Sequence, residues 1–476
     1  MHESDLKSKM DDHALEAVPV NERKSWIQLA NNPMGVCSTL LIMLFGALAT
    51  FTAGLLWGLV AGVICLIVGT IFGTLLGNIA RKEGLSSTVL TRLYGFGVRG
   101  SAVSSLVFCF MILGMLALEN ALLYHGVLFF FNMESTLFNV ILIYGIFTLC
   151  WVLFSIFGIN VVYRIASIFT ISFLALLVYI IVDSAVLGNN SIGEILSFGP
   201  QFSESTGVME FIGAVNILIG ATGAMTLVSA DSSRYARTKK DVFMIAFCGN
   251  LMQSIIILIA GGVVAYVGMD AVVQYYVTNS GLSIEQARAI VLDDMASFFI
   301  ILGGAVGFIL MFLANGKAQI LNTYSGSLAL TNLFSALGWK GNRAIFVVVA
   351  NFIALIMIYF NILSLVESWL DALGVLTTSM ATIVIVDYYI VRKKMATEGN
   401  PSTSENVNIA GIATLIISTI TSLSLSTANI FPIPFVAATV LCLVIYPVMR
   451  MYVFKPTMFT KQQPNENLQP NNDMNL

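Results

Sequence analysis

Charge is scarce in this sequence. Asp, Glu, Lys and Arg supply only 10% of its 476 residues, where a soluble domain carries about 25%. With 57% of residues hydrophobic and a mean hydropathy of +0.88, a soluble globular chain is excluded. The composition is that of a polytopic membrane protein. Histidine is scarcer still: His2, His13 and His125 are the only three. No H-E-x-x-H, G-x-S-x-G or cysteine–histidine metal spacing accompanies them, so the pairings an intramembrane hydrolase needs are missing. No catalytic residue, metal or cofactor is assigned. The six cysteines (Cys37, Cys65, Cys109, Cys150, Cys248, Cys442) lie in apolar stretches without paired spacing, which points to packing residues and against a disulfide framework. The first thirty residues lack an apolar core, so no cleaved signal peptide is expected. The net charge of −3 gives no bulk-charge hold on nucleic acid or another partner, and no obligatory protein partner is evident.

What is present is apolar sequence in blocks. Stretches of about 20 apolar residues, long enough to cross a bilayer as helix, recur along the chain. They fall at 34–57, 60–80, 102–125, 136–157, 165–187, 208–229, 242–268, 298–334, 344–360, 363–390, 407–427 and 432–453. Only helices let such segments satisfy their backbone groups in lipid, so twelve membrane helices are expected, numbered here as spans 1 to 12. Polar tails at 1–30 and 455–476 flank a membrane domain at 31–454. The eighth interval is too long for one simple span.

The basic residues test this count. With the N-terminus inside, 21 of the 23 Lys and Arg residues fall in the tails or in loops on the cytoplasmic side, including Arg81, Lys82, Arg92, Arg99, Arg164, Arg234, Arg237 and Arg392. Arg288 lies outside and Lys317 near the membrane. Outer loops 188–207 and 269–294 carry Glu194, Glu204, Asp270, Glu285, Asp293 and Asp294 instead. This bias follows the positive-inside rule. It predicts a multi-pass protein of the plasma (inner) membrane with both termini cytoplasmic.

Two motifs are discounted. "GFGVRG" at 95–100 matches a dinucleotide fingerprint, but that fingerprint needs a βαβ unit, and here it joins two apolar helices. A tight loop using glycine's backbone freedom accounts for it. The sequon at 189–191 carries little weight. Glycine inside spans 1 and 6 is more informative: Gly46 in one, Gly220 and Gly223 in the other, near the expected midplane. Paired interruptions in corresponding helices of two halves point to an inverted-repeat transporter. The alternative is that these glycines only let helices pack closely.

Four stretches carry a family resemblance: "EGLSSTVLTRLYGFGVRGS" (83–101), "SADSSRYART" (229–238), "NTYSGSLALTN" (322–332) and "IVIVDYYIVRKK" (383–394). They resemble the purine–cytosine permease family of nucleobase:cation symporters, over roughly residues 30–455 and in family order, as a divergent member. The resemblance implies a LeuT-type all-α fold with inverted repeats at about 34–187 and 208–390 and two extra helices at 407–453. It also implies a substrate held between spans 1, 3, 6 and 8. Family members stack the ligand ring on an aromatic residue of the third helix, where this chain aligns Met115. A hydrogen-bonding glutamine becomes Ile112, and the aromatic partner on the sixth helix becomes Thr222 or Ala221, next to Gly223. The aromatic sandwich is missing, although a methionine can cover a ring face.

Two charges stand in the apolar sequence. Ile112, Met115, Leu116 and Glu119 share one helical face. If that face lines the pocket, Glu119 points into it and binds an amino group of the ligand or carries the coupling proton; otherwise it sits near the outer end and reaches water. Acidic residues inside the bilayer usually mark ion or substrate paths. Lys317 has two readings as well. The eighth helix could end near Ala314 and let the lysine snorkel. Or the membrane part starts after an external helix, and Lys317 lies mid-membrane. The family alignment favours the second, setting Lys317 and Ala318 where sodium-coupled members present hydroxyls to the ion. H+ coupling is then expected over Na+.

In a regular helix Asn315, Gln319 and Asn322 form a stripe from which Lys317 faces away. The amides are assigned to the substrate and Lys317 to the ion position or a charge pair. Asp231 and Arg234 read as a gating or helix-end pair at the end of span 6, with a solvated loop pair as the alternative. Asp387 reads as structural, and Glu367 and Asp371 as facing the external vestibule. The sequence thus predicts a proton-coupled permease for a nucleobase or related heterocycle. The alternatives are a carrier for another amine-bearing or cationic solute recognised through Glu119, and a membrane sensor on a transporter scaffold.

Overall fold

The structure, a computed structural model, describes residues 16–156, 168–179, 182, 192–201, 207–291, 295–339, 341, 343–360, 362–397 and 405–455. Arg164, Glu204, Asp293, Asp294, Lys340, the sequon at 189–191, part of span 5, the first half of the N-terminal tail and nearly all of the C-terminal tail lie outside them. Among the described residues the architecture is helical, and nine helices are long and apolar enough to cross a membrane. Two shorter ones, at Ile168–Tyr179 and Ile345–Tyr359, occupy the expected spans 5 and 9.

Spans 1 and 2 are two limbs of the stretch Leu40–Glu83, which turns at Gly54 (φ 80°, ψ 162°). A φ of this sign suits glycine and few other residues. The doubling back is visible in the packing. A Cβ at Gly46 would lie 2.7 Å from Leu258 Cα, and one at Gly62 would lie 3.1 Å from the same residue's Cδ1. Those two glycines are eight positions before and eight after Gly54, so both limbs reach one point on span 7. The overlong eighth interval resolves similarly. Met295–Ala336 turns at Gly304 (φ 54°, ψ −129°), and Gly307 backs onto the carbonyl of Phe299. A short helix therefore precedes span 8 proper.

Span 3 is Ser101–Phe131, ended by Asn132 in the left-handed conformation. Span 6 is Gly207–Ser233, and span 7 runs through Lys239–Ser280 with a π-helical turn at Met252–Ile257. A capping box between Thr238 and Asp241 starts span 7, satisfying backbone donors that a helix end otherwise exposes.

The interruptions expected at Gly46, Gly220 and Gly223 are not found. The helix is continuous at all three, and the glycines provide close approach. A Cβ at Gly220 would lie 2.6 Å from Leu370 O, and one at Gly374 would lie 3.0 Å from Gly220 Cα, so spans 6 and 10 meet glycine to glycine. The break in span 1 comes earlier. The short helix Asn31–Cys37 ends at Ser38 (φ −89°, ψ 66°), and the next begins after Thr39 (φ −129°, ψ 165°).

The basic loops gather at one end of the molecule. Arg81 donates to Arg237 O at 3.4 Å, and Arg237 Nε to Arg23 O at 2.8 Å. Residues 18–26 form a strap there: Val18 N donates to Gly84 O and Lys24 N to Tyr235 O, while Trp26 N donates to Asp241 Oδ1. Gly95 and Gly97, with φ of 86° and 85°, shape the tight loop expected at 95–100. Asp387 is structural, as expected: its Oδ2 accepts from Gly95 N at 2.9 Å and pairs with Arg392 at 3.4 Å. All six cysteines are free thiols.

Candidate functional site

The break in span 1 is where the buried charges meet. Ser38 and Thr39 are both fully buried, and the half-helix after them begins with free backbone N–H groups. Two side chains satisfy these: Thr39 Oγ1 accepts from Ile42 N at 3.3 Å, and Asn315 Oδ1 on span 8 accepts from Leu40 N at 3.2 Å. Asn315 then reaches the other way, its Nδ2 donating to the backbone carbonyl of Glu119 at 3.0 Å. One amide thus ties the break to spans 3 and 8 together.

Lys317 is 0% exposed. It lies 13 residues past the Gly304 turn and 19 before Ala336, with helix on both sides, so the snorkelling reading fails. Its Nζ donates to Ser38 Oγ at 2.7 Å and stands 4.5 Å from the ring centroid of Phe173. Ser38 passes the bond on to Met34 O at 2.7 Å, one of the carbonyls closing the first half-helix. An ammonium suits that negative end of a helix, and a carboxylate suits the positive start of the next. Glu119, 2% exposed, lies beside Thr39 and accepts from Asn322 Nδ2 at 3.4 Å. The two charges therefore bracket the break, each at the end its sign favours. A buried ion left without such partners would cost several kcal/mol.

The amide stripe is geometrically as expected, with Lys317 facing away from it, but its nitrogens are not presented to open space. Gln319 Nε2 donates to Leu116 O at 3.1 Å, so Asn315, Gln319 and Asn322 all fasten span 8 to span 3.

A cleft enters from the basic end between spans 1, 3, 6 and 8. Asn32, Phe108, Ile112, Val228, Asn322 and Tyr324 line it, with Asp231 and Arg234 also on its wall. Asp231 Oδ1 accepts from Ser87 N at 2.6 Å, tying span 6 to the short helix Ser87–Leu93, and Arg234 donates to the Tyr235 hydroxyl at 3.1 Å.

Three expected site residues are turned elsewhere. Gly46 packs on span 7. The Thr222 methyl faces Gly69 of span 2, and Gly223 faces Thr377 and Thr378 of span 10. Met115 is buried on span 3 but is not among the residues lining the cleft. Ser38, Thr39 and Phe173 were not anticipated. The adjacent hydroxyls in "GVCSTL" gave no signal, because such residues also sit inside continuous helices.

The fold is that of LeuT-type transporters rather than of an enzyme. It is shared with Mhp1, a nucleobase-cation-symport-1 family transporter, in its closed conformation with bromovinylhydantoin bound: TM-score 0.67, 17% identity, 94% of this chain and 97% of that one. The inward-facing conformation of Mhp1 gives 0.65 and 17%, over 90% and 91%. A Na+-coupled sialic acid symporter in a substrate-bound outward-open state gives 0.63 and 15%, over 93% and 92%. The chain belongs to the family of permeases for cytosine/purines, uracil, thiamine and allantoin, whose model matches residues 17–448. Among curated proteins none matches.

Proposed function

We propose that this protein is a secondary active transporter that carries a nucleobase or related nitrogen heterocycle inward by alternating access, driven by protons rather than sodium. The family description, which names cytosine, purines, uracil, thiamine and allantoin, supports the substrate class. The coupling rests on one observation: the Lys317 ammonium stands 2.7 Å from Ser38 Oγ inside the broken first span. The resemblance to sodium-coupled members supports reading this as the cation position. A second cation at contact distance from a fixed ammonium would be repelled by about 1 kcal/mol in water and several times more in a low-dielectric interior. The basic loops and tails support a plasma-membrane protein with both termini cytoplasmic.

Uptake into proteoliposomes tests the coupling. Replacing Na+ by K+ should leave the rate unchanged, and dissipating a pH gradient should abolish accumulation. A steep sodium dependence would overturn the reading.

The burial of Glu119 favours a second reading, in which an amine-bearing or cationic solute displaces Asn322 from the carboxylate. The bond between them is long, at 3.4 Å, so it is easily exchanged.

A further inference from the structure

The missing aromatic sandwich leaves the ring of a heterocycle without a platform at Met115. We propose that the ring is instead held about two helical turns nearer the basic end, between Phe108 of span 3 and Tyr324 of span 8, with Asn332 as its hydrogen-bond acceptor. The proposal rests on the nucleobase reading above and deepens it.

Three observations carry it. Phe108 lies seven residues before Met115, and Tyr324 lies seven residues after Lys317. The spans bearing them run in opposite directions: span 3 begins just past Arg99 at the basic end, whereas span 8 ends there, Ser335 meeting Arg92 at 3.5 Å. The two displacements of about 10 Å therefore point the same way and bring both rings to the wall of one cleft. Secondly, Phe108 and Tyr324 are each 5% exposed, as a pocket closing on a planar ligand requires. Thirdly, Asn332 lines the same cleft, is 5% exposed and donates to Thr88 Oγ1 at 2.7 Å, while its Oδ1 has no partner. A buried amide oxygen in that condition is unfavourable and is matched by a ring or exocyclic N–H. Asn322, also on the cleft wall, contacts the Glu119 carboxylate and would pass the presence of a ring to the buried charges.

The test is calorimetric binding of cytosine, uracil, adenine and allantoin to the purified full-length protein and its variants. For the best binder, Phe108→Leu and Asn332→Ala should each weaken affinity by about tenfold, with the melting temperature close to wild type. Asn332→Ala deletes the acceptor and forfeits only the bond that Asn332 Nδ2 donates to Thr88, so it reports even if Phe108→Leu misfolds. A larger loss at Met115→Ala than at either variant, or wild-type affinity in Asn332→Ala, would overturn the shifted site while leaving the nucleobase reading intact. Binding by none of the four compounds would overturn the nucleobase reading together with the shifted site.

Discussion

Two seams hold this molecule together, and they are built from opposite chemistry. Where span 2 lies against spans 6 and 7, the contact is made by absence of side chain. A Cβ at Gly69 would lie 2.6 Å from the Thr222 methyl, one at Gly73 would lie 2.9 Å from Ala246 Cβ, and one at Gly77 would lie 2.8 Å from both Ser233 Oγ and Val242 Cγ1. Helices that approach this closely gain dispersion contacts along their length. Where span 3 lies against span 8, side chains reach across: Asn315, Gln319 and Asn322 each donate to span 3. The first seam resists any sliding, because every step brings a backbone into a side chain. The second consists of discrete bonds that can be exchanged one at a time. A transporter needs both kinds, one to carry motion as a rigid unit and one to register a ligand.

The largest expected effect comes from the two charges that bracket the break in span 1, beside the polar seam. Lys317→Met leaves Glu119 buried without its nearby positive charge and should lower unfolding stability by about 3–5 kcal/mol. Adding Glu119→Gln should recover much of that loss, and a chemical-denaturation double-mutant cycle measures the coupling. Strict additivity would mean that the two charges ignore each other across the break. A smaller effect should come from overfilling the glycine seam. Gly69→Leu should cost about 1–3 kcal/mol by overpacking, read as a fall in melting temperature. Melting at the wild-type temperature would show that spans 2 and 6 can separate. The smallest is Asn315→Ala, which removes two hydrogen bonds while leaving Leu40 N and Glu119 O to relax toward other partners, at about 1–2 kcal/mol. Its hydrogen exchange should rise at Leu40 and not in span 2; protection lost equally in both would mean that the seams are not independent.

The apolar helices and the gathering of the basic loops were readable because membrane length and charge placement act residue by residue. The amide stripe was readable because Asn315, Gln319 and Asn322 recur at helical spacing. The break at Ser38 and Thr39 was not. Hydroxyl residues sit comfortably inside membrane helices by bonding to a carbonyl one turn back, as Thr50 does to Gly46 O, so a serine and a threonine carry no mark of interruption. What opens the helix there is an amide 275 positions away. The glycines misled for a related reason: the same residue that frees a backbone also lets two helices touch, and only the neighbour decides which. Gly54 and Gly304 do the first, and Gly46, Gly220 and Gly223 do the second.

The strap at residues 18–26 has a mechanical consequence. It leads through Trp26 and the short helix Asn31–Cys37 directly into the broken span, and its backbone is laced to Gly84 and Tyr235. The inner limb of span 1 is thus leashed at both ends, by Lys317 at its deep end and by this lacing at its shallow one. If that limb swings, it must haul the junction of spans 6 and 7 along with it or unfasten a few main-chain bonds. The leash would then set how far the limb can travel.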